Sequence, residues 1–156
     1  MSEYEVRLET VARRPTAVAR RQACVAELSK VVPEACGVVW GVVRALPIPG
    51  AGRHVALYRD EVINLEVGVE LEAAFAGHGD VIPSELPAGK VVTVTHFGPY
   101  GQLCLAHRAI RDWCAAHGHA LAGPNWEIYG HWEDGWNDDP SRIRTDVYYL
   151  LGVADA

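Results

Sequence analysis

The side chain best placed to do chemistry in this sequence is Glu127, in the run Asn125-Trp-Glu-Ile-Tyr129. If that run is a strand, alternation puts Glu127 and Tyr129 on one face and Trp126 and Ile128 on the other. A carboxylate with such neighbours either faces solvent or is buried. If buried, it needs hydrogen bonds or a counter-charge, or its pKa rises. Aromatic rings are the second resource. Trp40, Tyr58, Trp126, Tyr129, Trp132 and Tyr148 are among many rings in a chain of 156 residues. Their faces stack on planar ligands and attract cations. Some must be ordinary core, and Trp113, on an apolar helical stripe, is assigned there. Tyr129 and Tyr148 fall on the polar faces of their strands and are pocket candidates. His96-Phe97-Gly98-Pro99-Tyr100 either carries Phe97 or Tyr100 to the mouth of a groove or is simply a strand-to-helix turn.

Other chemistries lack their residues. Seven histidines include no HExxH pattern, and His117-x-His119 brackets a glycine with no carboxylate at ligand spacing. Cys24, Cys36, Cys104 and Cys114 form no close pair and read as reduced, buried thiols. A GxSxG elbow and a phosphate-binding GxxxxGK[ST] loop are both missing. The expectation is therefore no metal and no cofactor. A formal net charge of −6 argues against a nucleic-acid partner, which needs clustered positive charge, and mildly favours cationic ligands. Glu133, Asp134, Asp138 and Asp139 read as a solvated acidic loop. The opening residues lack the apolar core of a secretory signal, and no run approaches the roughly 18 apolar residues of a membrane helix. A cytoplasmic protein with no membrane partner is expected.

The elements that must position these side chains follow from periodicity. Residues 4–11 and 16–23 read as strands, divided at Pro15. A helix with Pro33 in its first turn runs to Leu46, carrying Ala35, Val38, Val39, Val42 and Val43 at helical spacing. Residues 54–58 and 61–71 follow as strands, the second with period-2 alternation through Ile63, Leu65, Val67 and Val69. A Gly- and Pro-rich loop over 77–89 separates the halves. Then come a strand over 90–97 and a helix with Leu103, Ala106, Ile110, Trp113 and His117 on one face, stopped by Gly118. Strands over 125–132 and 145–153 close the chain.

The halves echo each other: residues 54–58 match 125–129, and Asn64-Leu-Glu-Val67 matches Thr145-Asp-Val-Tyr148. This predicts an α+β fold made of a duplicated βαββ module, about 3–76 and 87–154. Mostly antiparallel sheets should be backed by two main helices, with a ligand groove between the modules. Glu127 falls opposite Ala56 in the repeat, so the module itself does not require an acid there.

The double βαββ pattern, HFGPY before the second helix, PNWEIY and the closing TDVYYLL together resemble the gyrase-inhibitor-like (GyrI-like) small-molecule-binding domains. These are also the effector-binding modules of AraC-type and MerR-type multidrug regulators. The resemblance covers about residues 3 to 153 and implies one SHS2-like domain over 1–156, a stand-alone member. It implies a pocket in which a lipophilic, often cationic, aromatic compound sits against Glu127. The accompanying ligand-binding candidates are Tyr129, Tyr148, Trp40 and Tyr58, with Phe97, Tyr100, Trp126 and Trp132. Asp146 stands where a glutamate is more usual, and Trp40 occupies a helix where aliphatics would serve. Some stand-alone members resemble hydrolases that open the cyclopropane of DNA-alkylating antibiotics. In that case Glu127 would activate water and Tyr129 would stabilise the developing phenolate. A third reading is a protein-interaction module that inhibits a partner such as gyrase through the acidic loop near Asp138.

Overall fold

The computed structural model describes residues 4–23, 27–46, 51–58, 64–73, 75–130 and 133–152. In chain order its elements are β1 (Arg7–Val11), β2 (Arg14–Gln22), α1 (Leu28–Ala45), β3 (His54–Tyr58), β4 (Asn64–Glu70) and β5 (Val81–Leu86). They continue with β6 (Gly89–Phe97), α2 (Leu103–His117), β7 (Leu121–Tyr129), the one-turn α3 (Gly135–Asp138) and β8 (Arg144–Leu151). The strands form a single sheet in the order β1-β6-β8-β7-β3-β4-β2-β5, with every neighbouring pair antiparallel. The fold is α+β, as the alternation of periods indicates.

The sheet divides into β5, β2, β4 and β3, backed by α1, and β1, β6, β8 and β7, backed by α2, and the two halves meet where β3 pairs with β7. Ala56 stands directly opposite Glu127 in that pairing, so the two equivalent positions of the repeat lie on its approximate twofold axis. The second sequence match is shifted by one residue. Val67 pairs with Ala56 and Val147 with Glu127, so Val67 corresponds to Val147 rather than to Tyr148. Side-chain alternation, which the sheet enforces, sets this register.

Both helices cover the same face. Ala35, Val39 and Val43 of α1 pack on Ala17, Ala19, Val67 and Val69. Leu103, Ala106, Ile110 and Cys114 of α2 pack on Val92, Val94, Val147 and Tyr149. Thus α1 sits on β2, β4 and β5 and α2 on β6 and β8, with β3 and β7 between them. The opposite face carries a third apolar cluster of Val55, Leu57, Leu86, Val91, Trp126 and Ile128, joined by Val11, Tyr148 and Leu150.

Chain connectivity explains why this second face is buried without a helix. β1 is one edge of the sheet and β2 lies six strand spacings away, about 29 Å if the sheet were flat. Yet Val11 and Arg14 are three residues apart and can span no more than roughly 11 Å. The same holds for Leu86 of β5 and Gly89 of β6. The sheet must curl until its edges approach each other over the helix-free face.

Several elements depart from their sequence reading. The segment 77–89 is not only loop: β5 occupies 81–86, pairing with β2 alone as an edge strand, where Pro83 is tolerated because one side of the ladder is open. α1 begins at Leu28, so Pro33 lies inside the helix rather than in its first turn. Its missing N–H costs one backbone bond, which burial of the Ala35, Val39 and Val43 stripe offsets. On α2, Cys114 rather than Trp113 fills the core. Trp113 is half-buried and stacks on His117 and His119 at 4.2 and 5.2 Å. The first strand is shorter than 4–11, and the stretches 61–63, 131–132 and beyond 152 lie outside the described residues. The acidic loop contains α3, which buries Trp136 while Asp138 and Asp139 stay exposed.

Gly68 shows how tightly the halves are wound. A Cβ there would lie 1.8 Å from the Ala17 carbonyl oxygen, a backbone atom. Gly68→Ala is expected to cost about 2–3 kcal/mol or more, measured by chemical denaturation, because β2 must move to admit the methyl.

Candidate functional site

Glu127 is held in the C-terminal part of β7 with Ala56 on one side and Val147 on the other. Only 4% of its surface is exposed. Small Ala56 leaves room on the axis, and the acid fills it. Two-residue alternation brings Tyr58 and Tyr129 to the same face. Both donate to Glu127 Oε1, Tyr129 at 2.6 Å and Tyr58 at 3.2 Å. Glu127 Oε2 meets His107 Nε2 of α2 at 2.7 Å.

The network continues behind His107. Its Nδ1 is 2.6 Å from the Tyr149 hydroxyl, which accepts from Arg111 Nη1 at 3.2 Å. One proton assignment satisfies this chain of groups: Arg111 donates to Tyr149, Tyr149 to His107 Nδ1, and His107 Nε2–H to Glu127. A buried carboxylate with both oxygens satisfied avoids the main cost of burying a charge.

Burial, together with the negative charge of Glu127, pushes the Tyr58 and Tyr129 phenols far above their ordinary value of 10.0. Both therefore stay neutral donors across the physiological range. Burial also pushes the Cys36 thiol of α1 up to about 11. Cys36 and Tyr129 pack in the α1 cluster, and Tyr129 packs in the α2 cluster as well, so it joins the two.

The sequence-predicted residues divide between the two faces of the sheet. Tyr58, Tyr129 and Glu127 converge directly. Tyr100, in the 3-10 turn before α2, is 44% exposed and meets Tyr129 edge-on with ring centres 5.6 Å apart. Trp40 is 40% exposed on α1 and lies against His54 of β3, two residues from Ala56 on the same face. Trp126 and Tyr148 lie on the other face, stacked on each other at 5.6 Å. Phe97 alternates to that face too and is exposed. Trp132 lies outside the described residues. Asp146 also points away from Glu127, accepting from Thr95 at 2.7 Å beside Arg53 and Arg144.

His107, Tyr149 and Arg111 had not been singled out from the sequence. The signal was available in part: His107 and Arg111 are spaced i, i+4 beside the apolar stripe of α2, which places both on one flank of the helix.

The chain belongs to the GyrI-like small-molecule-binding domain family, whose model matches residues 56–151. In fold it is similar to the EcmrR C-terminal domain, with a TM-score of 0.76 and 22% identity over 96% of this chain and 98% of that one. It spans 57% of the longer EcmrR chain seen in a DNA complex. It is also similar to SAV2435 bound to tetraphenylphosphonium, with a TM-score of 0.70 and 11% identity over 95% of this chain and 94% of that one. A hydrolase encoded by lin2189 from Listeria innocua matches with a TM-score of 0.63 and 8% identity, over 95% and 92% of the two chains. No curated protein matches in sequence. Among the described residues no helix is long and apolar enough to cross a membrane.

The raised phenols set a pH dependence. Because the folded-state pKa lies above the unfolded value, their contribution is complete below pH 10 and is lost as pH rises beyond it. Wild-type stability should fall more steeply above pH 10 than that of the Tyr58→Phe, Tyr129→Phe double variant, read from denaturation midpoints across that range.

Proposed function

We propose that the domain binds lipophilic aromatic cations in the space between α1 and α2, with Glu127 as the buried counter-charge. The observation that carries this reading is the kind of partner Glu127 has. Its lone pairs are filled by neutral phenols and an imidazole rather than by an arginine or lysine. The phenols hold the carboxylate in place without cancelling its charge, so a cation entering the groove gains attraction in a low-dielectric setting. Tyr129, Tyr58 and Tyr100 supply rings for cation–π contact, and Trp40 flanks the same space. SAV2435, a fold relative, was solved with tetraphenylphosphonium, which supports the same ligand class here.

Tetraphenylphosphonium and neutral triphenylphosphine oxide serve as probes. Glu127→Gln should weaken the cation by about 100-fold, roughly 2.7 kcal/mol, and the neutral compound by less than threefold. Equal losses for both would remove the charge-based reading.

A second reading is favoured by the position of His107 Nε2, 2.7 Å from the Glu127 carboxylate. A carboxylate paired with imidazole and flanked by a phenol is also equipped to take a proton from water, and one fold relative is described as a hydrolase. On this reading the substrate is a cyclopropane-bearing alkylator, opened with addition of water. Mass spectrometry after incubation should then show a water-added product that disappears with Glu127→Gln. No turnover above the buffer rate would remove this reading for that substrate.

A further inference from the structure

The curl of the sheet creates a second cleft, on the face opposite Glu127. It has a volume of about 270 Å³ and is lined by the β1–β2 link, the start of the β5–β6 link and the central strands. Its floor is aromatic, with the half-buried Tyr148 ring backed by buried Trp126, the ring planes within 11° of each other. Its polar wall is formed by Arg13, Arg14 and Arg53, against one lining carboxylate, Glu70. Three guanidinium groups are therefore gathered here, paired with Glu70, Glu85 and Asp146, which makes the wall rich in N–H donors.

The arginines are held but not used up. Arg53 spans the sheet, bonding Glu70 through Nε at 2.8 Å and approaching Asp146 through Nη1 at 3.5 Å. Arg14 reaches Glu70 through Nε at 3.3 Å, and Arg13 reaches Glu85 through Nε at 2.7 Å. Among the described residues these pairs leave the terminal nitrogens of Arg13 and Arg14 available to a carboxylate. A guanidinium fork matches such a group in geometry as well as in charge.

We propose that this cleft is a small-molecule site in its own right and takes a planar aromatic carboxylate, ring against Tyr148 and carboxylate toward Arg13 and Arg14. The mouth of a curled sheet is a common place for such a site. Its volume suits a one- or two-ring compound and excludes a polypeptide. The site requires nothing of Glu127, so it stands whether or not the cation-binding reading holds.

Calorimetric titration of the full chain with 2-naphthoate, and with uncharged 2-naphthamide, tests the proposal. Saturable one-to-one binding of naphthoate is expected, with the amide at least tenfold weaker. The Trp126 indole N–H resonance should shift on binding. Arg14→Gln should weaken naphthoate by about tenfold while Arg53 continues to pair with Glu70, and the thermal midpoint reports whether the fold is kept. Arg13→Gln, at a side chain 72% exposed, gives an independent reading if Arg14→Gln does not fold. Excess tetraphenylphosphonium should leave the naphthoate isotherm unchanged. No saturable binding, equal affinity for acid and amide, or displacement by the phosphonium would each overturn the assignment.

Discussion

Two links of two residues each have to join strands that stand six places apart in one sheet, and no flat sheet allows it. The curl that results divides the molecule into an outer face, carrying both helices, and an inner face closed by the sheet itself. On the outer face, α1 packs on β2, β4 and β5 and α2 on β6 and β8, with β3 and β7 between them. On the inner face it brings Val11 and Leu86, from the ends of opposite edge strands, into one apolar cluster. Glu127 owes its setting to this geometry. It lies on the outer face, on the axis, where Tyr129 packs in both helix clusters and His107 of α2 reaches its carboxylate.

The two faces also handle buried acids differently. On the inner face, Glu66 is met by Arg20 and Ser84, Glu70 by Arg53 and Arg14, and Asp146 by Arg53, Arg144 and Thr95. Burial alone would raise the Glu70 carboxyl, but its bonds to Arg53 hold it below its ordinary value. These acids are compensated by full cations and act as structural ties between strands. Glu127 has no arginine within hydrogen-bonding reach among the described residues; Arg111 connects to it only through Tyr149 and His107. That contrast, rather than burial by itself, separates the candidate binding residue from the other buried acids of the sheet.

Much of this was legible in the sequence because it depends on local rules. The β-branched run of β6, the stop of α2 at Gly118 with its positive φ, and β3 followed directly from periodicity and capping. The Glu127–Ala56 asymmetry was legible too, since a duplicated module supplies its own control. What was hidden depends on tertiary context. β5 reads as loop because Pro83 and flanking glycines suppress the strand signal, and only the vacant edge of β2 makes a strand of it. Trp113 ends at the margin of the core it was assigned to, because one residue of helical phase, about 100°, turns Cys114 more directly onto the sheet. His107 was passed over because its partner is 20 residues away on another element. Trp126 and Tyr148 carry the family-like motifs, yet alternation sends them to the face that Glu127 does not share.

The placement of β1 also has a consequence for how the chain is made. β2, α1, β3, β4 and β5 form one contiguous stretch ending at Leu86, so that half can assemble as it leaves the ribosome. β1, emerging before any of them, pairs with β6, whose register partners begin about 80 residues later, Val11 opposite Gly89. Until then it has no ladder to join, and its apolar residues must be kept from the wrong edge. β1 thus precedes the whole β2–β5 half in the chain, yet its ladder forms only once β6 has followed that half.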